Sequence, residues 1–308
     1  MPVSSIDFIH DPSTMQTLYQ AKKDTTDSTI TPENAPDNVL TTTAAPRAVT
    51  IADEIDALTD PSFMTSLARG LAVVKAFSDQ RRAMTIAQLS HKTGIPRAAV
   101  RRCLYTLKQL GYADSEANNF YLKPKILSLG YSYLSSTPLT ISAQPALNQI
   151  SRELNESCSL GVLEENEVIY ISRSQSSRVM SVALNAGSRI PAYCSSMGRV
   201  LLSTLPEDEL SDYFSKVRLI AYTDRTVVAE SELREILSDV RQRGYAIVEE
   251  ELEIGLRSIA VPVRGASGIP VAAISIGAQA SRADRSQLEK NFLPILLNTA
   301  SDLSVLLP

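Results

Sequence analysis

The chain has 308 residues, 44% of them hydrophobic and 21% charged, with a formal net charge of −4. That length and apolar content suit two cored domains and a tail, while no uninterrupted apolar run approaches the roughly 18 residues of a membrane span. Cys103, Cys158 and Cys194 stand far apart with no Cys-x-x-Cys, which excludes a disulfide framework or a cysteine zinc site and fits reduced thiols in the cytoplasm. The N-terminus lacks a basic region followed by an apolar core, so no secretory signal is expected.

Residues 1–59 carry 3 basic and 9 acidic side chains and are rich in Thr, Asp, Ser, Ala and Pro. They read as a disordered acidic leader with a short helix near Ile51–Leu58. The sign then inverts: residues 60–125 carry 11 basic and 4 acidic side chains, against 16 and 21 for residues 126–308. Positive charge gathered in one block is the footprint of phosphate neutralisation, so double-stranded DNA is the expected partner.

Within the basic block, Leu67, Leu71, Val74 and Phe77 form an apolar stripe, predicting a helix that covers the back of the next two. Thr85 and Gln88 supply a capping box for the first of these, and Gly94 ends it. Pro96 then opens the second, whose apolar stripe is Val100, Leu104, Leu107 and Leu110. Two helices around a tight turn, the second dense in arginine, make a helix-turn-helix. The predicted DNA-reading residues are Thr85, Arg97, Ala98, Arg101, Arg102, Tyr105 and Lys108. Two β-prone runs, Tyr112–Asp114 and Asn119–Leu122, flank a turn over Ser115–Asn118 and add a wing. The winged domain is placed at 60–124 and a linker helix at 125–140.

Residues 141–308 read as an α/β effector and oligomerisation domain, making the whole chain α+β. Helices are predicted around Ala143–Leu154, Ser196–Leu202, Glu207–Lys216, Glu230–Arg243 and Asp284–Leu306. Strands are predicted near Ser159–Leu163, Val168–Arg173, Val179–Leu184, Tyr245–Val248, Ser258–Val263 and Val271–Ser275. A curled sheet with helices on its faces can enclose a small molecule.

Several separated motifs resemble the IclR-type transcriptional regulators. They are SLARGLAVVKAF at Ser66–Phe77, GSRIPAYCSSMGRVLLS at Gly187–Ser203, AYTDRT at Ala221–Thr226, GYAIVEEELEIGLRSIAVPV at Gly244–Val263 and AAISIG at Ala272–Gly277. The second and fourth look most like the protocatechuate and 4-hydroxybenzoate branch of that family. The resemblance implies a winged-helix domain and a GAF-like effector domain that bind palindromic promoter sites as a homodimer or homotetramer. An activator of this type would also engage RNA polymerase. It implies an effector pocket lined by Ser195, Ser196, Met197, Gly198, Ser258, Ser275 and Gly277, to which Tyr193, Cys194 and Glu249 are added as candidates. Against the glyoxylate-responsive members, this chain has Met197 where they carry a small residue and Val248 where they carry an acid. Met197 and Tyr193 would shape the pocket for a larger, aromatic carboxylic acid.

Arg189, Arg199 and Arg257 could meet the carboxylate, although ion pairing within the fold is the expectation for each. Cys194 and Ser196 are nucleophile candidates near a helix start, but the two histidines, His10 and His91, both precede residue 126. No Cys-His or Ser-His pair can therefore form within the second domain, so no enzyme activity, cofactor or metal is expected. The cluster Glu249–Glu251 with Glu253 reads as a solvated edge. Two readings stand: a small-acid sensor acting on DNA, or a DNA-binding protein whose second domain serves assembly alone.

Overall fold

A computed structural model describes residues 50–78, 82–176 and 184–305. Contacts divide the chain into one unit ending at Gly130 and a second beginning at Tyr131. Most of the expected acidic leader lies outside the described residues, as does all but the last residue of the strand expected at Val179–Leu184.

The first unit begins earlier than the charge inversion at residue 60. Thr50 and Asp53 form a reciprocal capping box that starts α1 (Ile51–Asp56), and Ala52 and Ile55 are buried in the same core as Leu89 and Leu104. Asp56 anchors the helix to Arg69 at 2.8 Å. Helix α2 (Thr65–Lys75) corrects the stripe read from sequence. Its buried positions are Ala72 and Val73, with Ala76 just beyond, whereas Leu67 and Leu71 are 58% and 51% exposed. The small residues face the core because α2 packs closely on its neighbours. The larger leucines form, with Met64, an outward apolar face.

Helix α3 (Ile86–Thr93) starts on the Thr85–Gln88 capping box and ends at Gly94 with φ 75°. Only glycine suits that position twice over. The left-handed conformation disfavours a side chain, and a Cβ there would fall 2.4 Å from Thr50 Oγ1. Helix α4 (Arg97–Gln109) buries Val100 and Leu104, while Leu110 lies past its end and is exposed. Strands β1 (Ala113–Glu116) and β2 (Asn119–Leu122) form the wing, with β1 running two residues further into the expected turn. A bridge between Met84 and Phe120 ties it to the approach of α3.

Helix α5 (Leu127–Ser136) and helix α6 (Pro138–Leu154) follow, separated at Thr137. Strands β3 (Ser157–Glu164), β4 (Glu167–Ser174), β5 (Arg189–Pro191), β6 (Ala246–Glu249), β7 (Leu256–Arg264) and β8 (Pro270–Gln279) make one antiparallel sheet in the order β5-β4-β3-β8-β7-β6. The short edge strand β5 has no counterpart in the sequence reading. Helices α7 (Ser196–Leu202), α8 (Glu207–Lys216) and α9 (Glu230–Arg243) occupy their predicted positions. The terminal helix is broken into α10 (Arg285–Gln287), a π turn at Leu288–Phe292 and α11 (Leu293–Val305). Pro294 has no N–H with which to continue the helical ladder. One core packs α6 and α11 against one sheet face through Leu147, Leu160, Ile274 and Leu296. A second packs α7, α8 and α9 against the other through Met197, Leu202, Leu210 and Leu237.

Candidate functional site

In the first unit, burial of Val100 and Leu104 turns the opposite side of α4 outward. Arg97, Ala98, Arg101, Arg102, Tyr105 and Lys108 lie off that buried stripe, and all six are exposed. At about 100° per residue they share an arc of roughly 140°. Arg97, Arg101 and Arg102 meet no carboxylate among the described residues, leaving three unpaired guanidinium groups on one face. Two candidates are committed elsewhere. Lys108 Nζ lies 2.8 Å from Ser115 Oγ and 3.0 Å from Asp114 Oδ1, fastening helix to wing and holding the Asp114 carboxyl below its ordinary range. The Thr85 hydroxyl accepts from Gln88 N at 3.2 Å, so its first task is the helix cap.

In the second unit, strand register gathers a cavity from distant segments. In antiparallel pairing, directly opposite residues share a face. Arg173, Ser159 and Ser275 form one row across β4, β3 and β8. Ser157, Gly277, Ser258 and Val248 form a second row across β3, β8, β7 and β6. These small residues make a low floor, and Cys194–Met197 at the start of α7 form the roof. The cavity leaves about 60 Å³ for the centres of water-sized molecules, several times what one water needs (~10–15 Å³). The hydroxyls of Ser196, Ser258 and Ser275 make no side-chain hydrogen bond among the described residues, so they remain to be satisfied inside it.

Seven of the ten predicted effector residues line this space: Cys194, Ser195, Ser196, Met197, Ser258, Ser275 and Gly277. Three do not. Tyr193 is buried, but its hydroxyl is taken up by the Ile220 backbone, donating to O at 2.6 Å and accepting from N at 2.8 Å. Gly198 faces Ala192, where a Cβ would fall 2.1 Å from the carbonyl oxygen, so its role is close packing of α7. Glu249 follows Val248 on β6, and alternation sends it to the opposite side. There it meets Arg257 at 2.9 Å and Arg285 at 3.3 Å.

The same alternation, interrupted once, supplies the residue that sequence reasoning missed. Register slips between Leu160 and Gly161, so Ile171 is skipped. Such a bulge re-aims the side chains beyond it. Tyr170 and Arg173 consequently line the cavity together, whereas Ile171 joins the core on the α6 side. Arg173 Nη1 donates to Ser159 Oγ at 3.1 Å, Nε is buried without a partner, and no carboxylate pairs with the guanidinium among the described residues. Burial pulls its pKa down, which marks a cation short of an anion. Nothing in the sequence distinguishes Arg173 from its neighbours, because a bulge has no composition of its own.

The three arginines considered from sequence are indeed engaged within the fold. Arg189 pairs with Glu167 and Arg257 with Glu249. Arg199 and Glu251 form a buried bidentate pair at 2.6 and 2.7 Å. Glu251 also accepts from Val227 N at 3.1 Å and Arg199 donates to Tyr193 O at 2.8 Å, which fixes one wall of the cavity. The acidic cluster is thus split between the cavity (Glu251, Glu253) and ion pairs outside it (Glu249, Glu250) rather than forming a solvated edge. Burial raises the Cys194 thiol, opposing the thiolate that a nucleophile requires. Tyr170 is pushed up to about 12 by the same cause and is a neutral phenol at physiological pH. The described residues contain no cluster of three or more His, Cys, Asp or Glu placed to hold a metal, and no helix long and apolar enough to cross a membrane.

Comparison with known proteins matches residues 66–117 to the IclR helix-turn-helix domain and residues 131–305 to the bacterial transcriptional regulator IclR C-terminal domain. The Pca regulon regulatory protein of Pseudomonas putida is 50% identical over 262 residues, covering 84% of this chain and 90% of that protein. The p-hydroxybenzoate hydroxylase transcriptional activator of Acinetobacter baylyi is 38% identical, covering 78% and 91%. Among solved structures, a double mutant of the PobR inducer-binding domain from Acinetobacter, bound to 3-hydroxybenzoic acid, is 36% identical. It superposes with a TM-score of 0.51 over 53% of this chain and 95% of that one.

Proposed function

The chain belongs to the IclR family of bacterial transcriptional regulators, and from that membership we propose that it controls an aromatic-acid catabolic operon. In this reading α4 enters the major groove of a palindromic promoter site, and the C-terminal cavity takes a small carboxylic acid of the protocatechuate, 4-hydroxybenzoate or β-ketoadipate type. The observation that carries the proposal is Arg173, a half-buried guanidinium with no carboxylate partner among the described residues, facing a cavity that also holds the hydroxyls of Ser196, Ser258 and Ser275. A carboxylate there would gain charge-assisted hydrogen bonds and relieve the desolvated cation. The relatives named for the Pca regulon and for p-hydroxybenzoate hydroxylase support the pathway class.

The protein acts in the cytoplasm as a regulator without catalysis, engaging RNA polymerase where it activates. It binds its two-fold site as a homodimer or a homotetramer, and the outward face formed by Met64 with Leu67 and Leu71 of α2 is a surface that pairing would cover. Leu67→Glu should shift sedimentation toward monomer, and an unchanged species would remove α2 from the interface. Thermal melting with protocatechuate, 4-hydroxybenzoate, muconate and β-ketoadipate tests the whole reading. At least one should raise the melting temperature at millimolar concentration, and stabilisation by none would refute it.

A further inference from the structure

Among the described residues the Arg173 guanidinium makes one hydrogen bond, to Ser159, and lies over the Tyr170 ring, 5.8 Å from its centroid. Both partners leave its direction to depend on the β4 backbone that carries Tyr170 and Arg173, and that backbone is irregular. The skipped residue Ile171 turns β4 so that Arg173 faces the cavity. Ser172 and the Arg173 carbonyl are left to find partners outside the strand ladder, since β5 pairs with β4 only at Glu167–Ile169. A single side chain on α6 supplies both. Gln144 Oε1 accepts from the Ser172 hydroxyl at 2.7 Å, and Gln144 Nε2 donates to the Arg173 carbonyl at 3.1 Å. Asn148, one turn along α6, accepts from the same amide at 2.9 Å and orients it.

We propose that Gln144 is a positioning residue for effector recognition: its amide clamps the β4 bulge and thereby holds Arg173 at the angle that selects a carboxylate over a neutral ligand. Ser172 is the second part of the clamp. The inference rests on the reading of Arg173 as the carboxylate partner. Its distinctive consequence is that Gln144, which does not line the cavity, controls discrimination by charge and not by shape.

The test compares full-length wild type, Gln144→Met, Ser172→Ala, Arg173→Met and the Gln144→Met/Arg173→Met double variant by calorimetric titration. The probes are the acid of the four above that stabilises wild type most and the amide of the same acid, which keeps its shape without its charge. Gln144→Met should lower the preference for acid over amide about tenfold and Ser172→Ala about threefold, the scale of one neutral hydrogen bond. Affinity for the amide should stay within about twofold of wild type, and the double variant should match Arg173→Met alone, because coupled residues do not add. An unchanged preference in Gln144→Met overturns the proposal, as does an equal loss for acid and amide, which would mark a merely structural residue. If Gln144→Met does not fold, Ser172→Ala decides on the same criteria. Failure of the underlying reading is distinguishable, since in that case Arg173→Met itself leaves the preference intact.

Discussion

The two units of this chain build their sites in opposite ways. The exposed arginine face of α4 comes from one helix, and every residue on it is fixed by a period of about 3.6 and two caps within roughly 25 residues. The cavity comes from all six strands of the sheet and a helix start, with Arg173, Ser258 and Ser275 brought together by register across about 100 residues of chain. A local site should fail gradually when one residue is changed. A site held by register should fail with the unit that carries it.

The largest expected effect tests the second half of that contrast. Glu251→Ala leaves Arg199 buried without its bidentate partner, and losing half of such a pair costs about 3–5 kcal/mol. The C-terminal unit should melt much earlier, with loss of acid binding, while the N-terminal unit keeps its DNA affinity; differential scanning calorimetry of the full chain reads both transitions. If the first transition fell equally, the units would not be energetically separate. Next in size, Arg101→Ala or Arg102→Ala should weaken promoter binding by about 1–3 kcal/mol at a base contact. At a phosphate contact the salt dependence of log K should instead fall by about one unit. Neither should change the melting temperature, and unaltered affinity in both variants would mean α4 reads DNA with another face. Smallest is Thr85→Ala, where loss of the cap costs about 1 kcal/mol. A much larger fall in DNA affinity than in stability would mean that the Thr85 hydroxyl also touches DNA.

The same contrast explains what could be read from the sequence. The helix-turn-helix was legible because Thr85, Gln88, Gly94 and Pro96 each announce a local geometry. The α2 stripe misled because Leu67 and Leu71 are the most apolar residues there, yet close packing selects small ones, Ala72 and Ala76, for the core. In the cavity, Ser195–Met197 and Ser275 were reachable through family resemblance, which transfers positions but not directions. Glu249 was misplaced by one residue of strand alternation. Arg173 was missed because its orientation depends on a bulge set by pairing with β3. The helix at Ile51–Asp56 was visible as a pattern, but its place in the core depends on Gly94 leaving room for Thr50.

Coupling between the two sites is the central claim, and operator affinity tests it most directly. Fluorescence anisotropy with the promoter region upstream of the controlled operon should give an affinity that the stabilising acid changes by roughly 5–150-fold, the usual range for allosteric coupling. Arg173→Met should keep the acid-free affinity and lose the response. If the acid stabilises wild type but leaves its operator affinity unchanged, the cavity is not the sensor for α4 and the account is wrong.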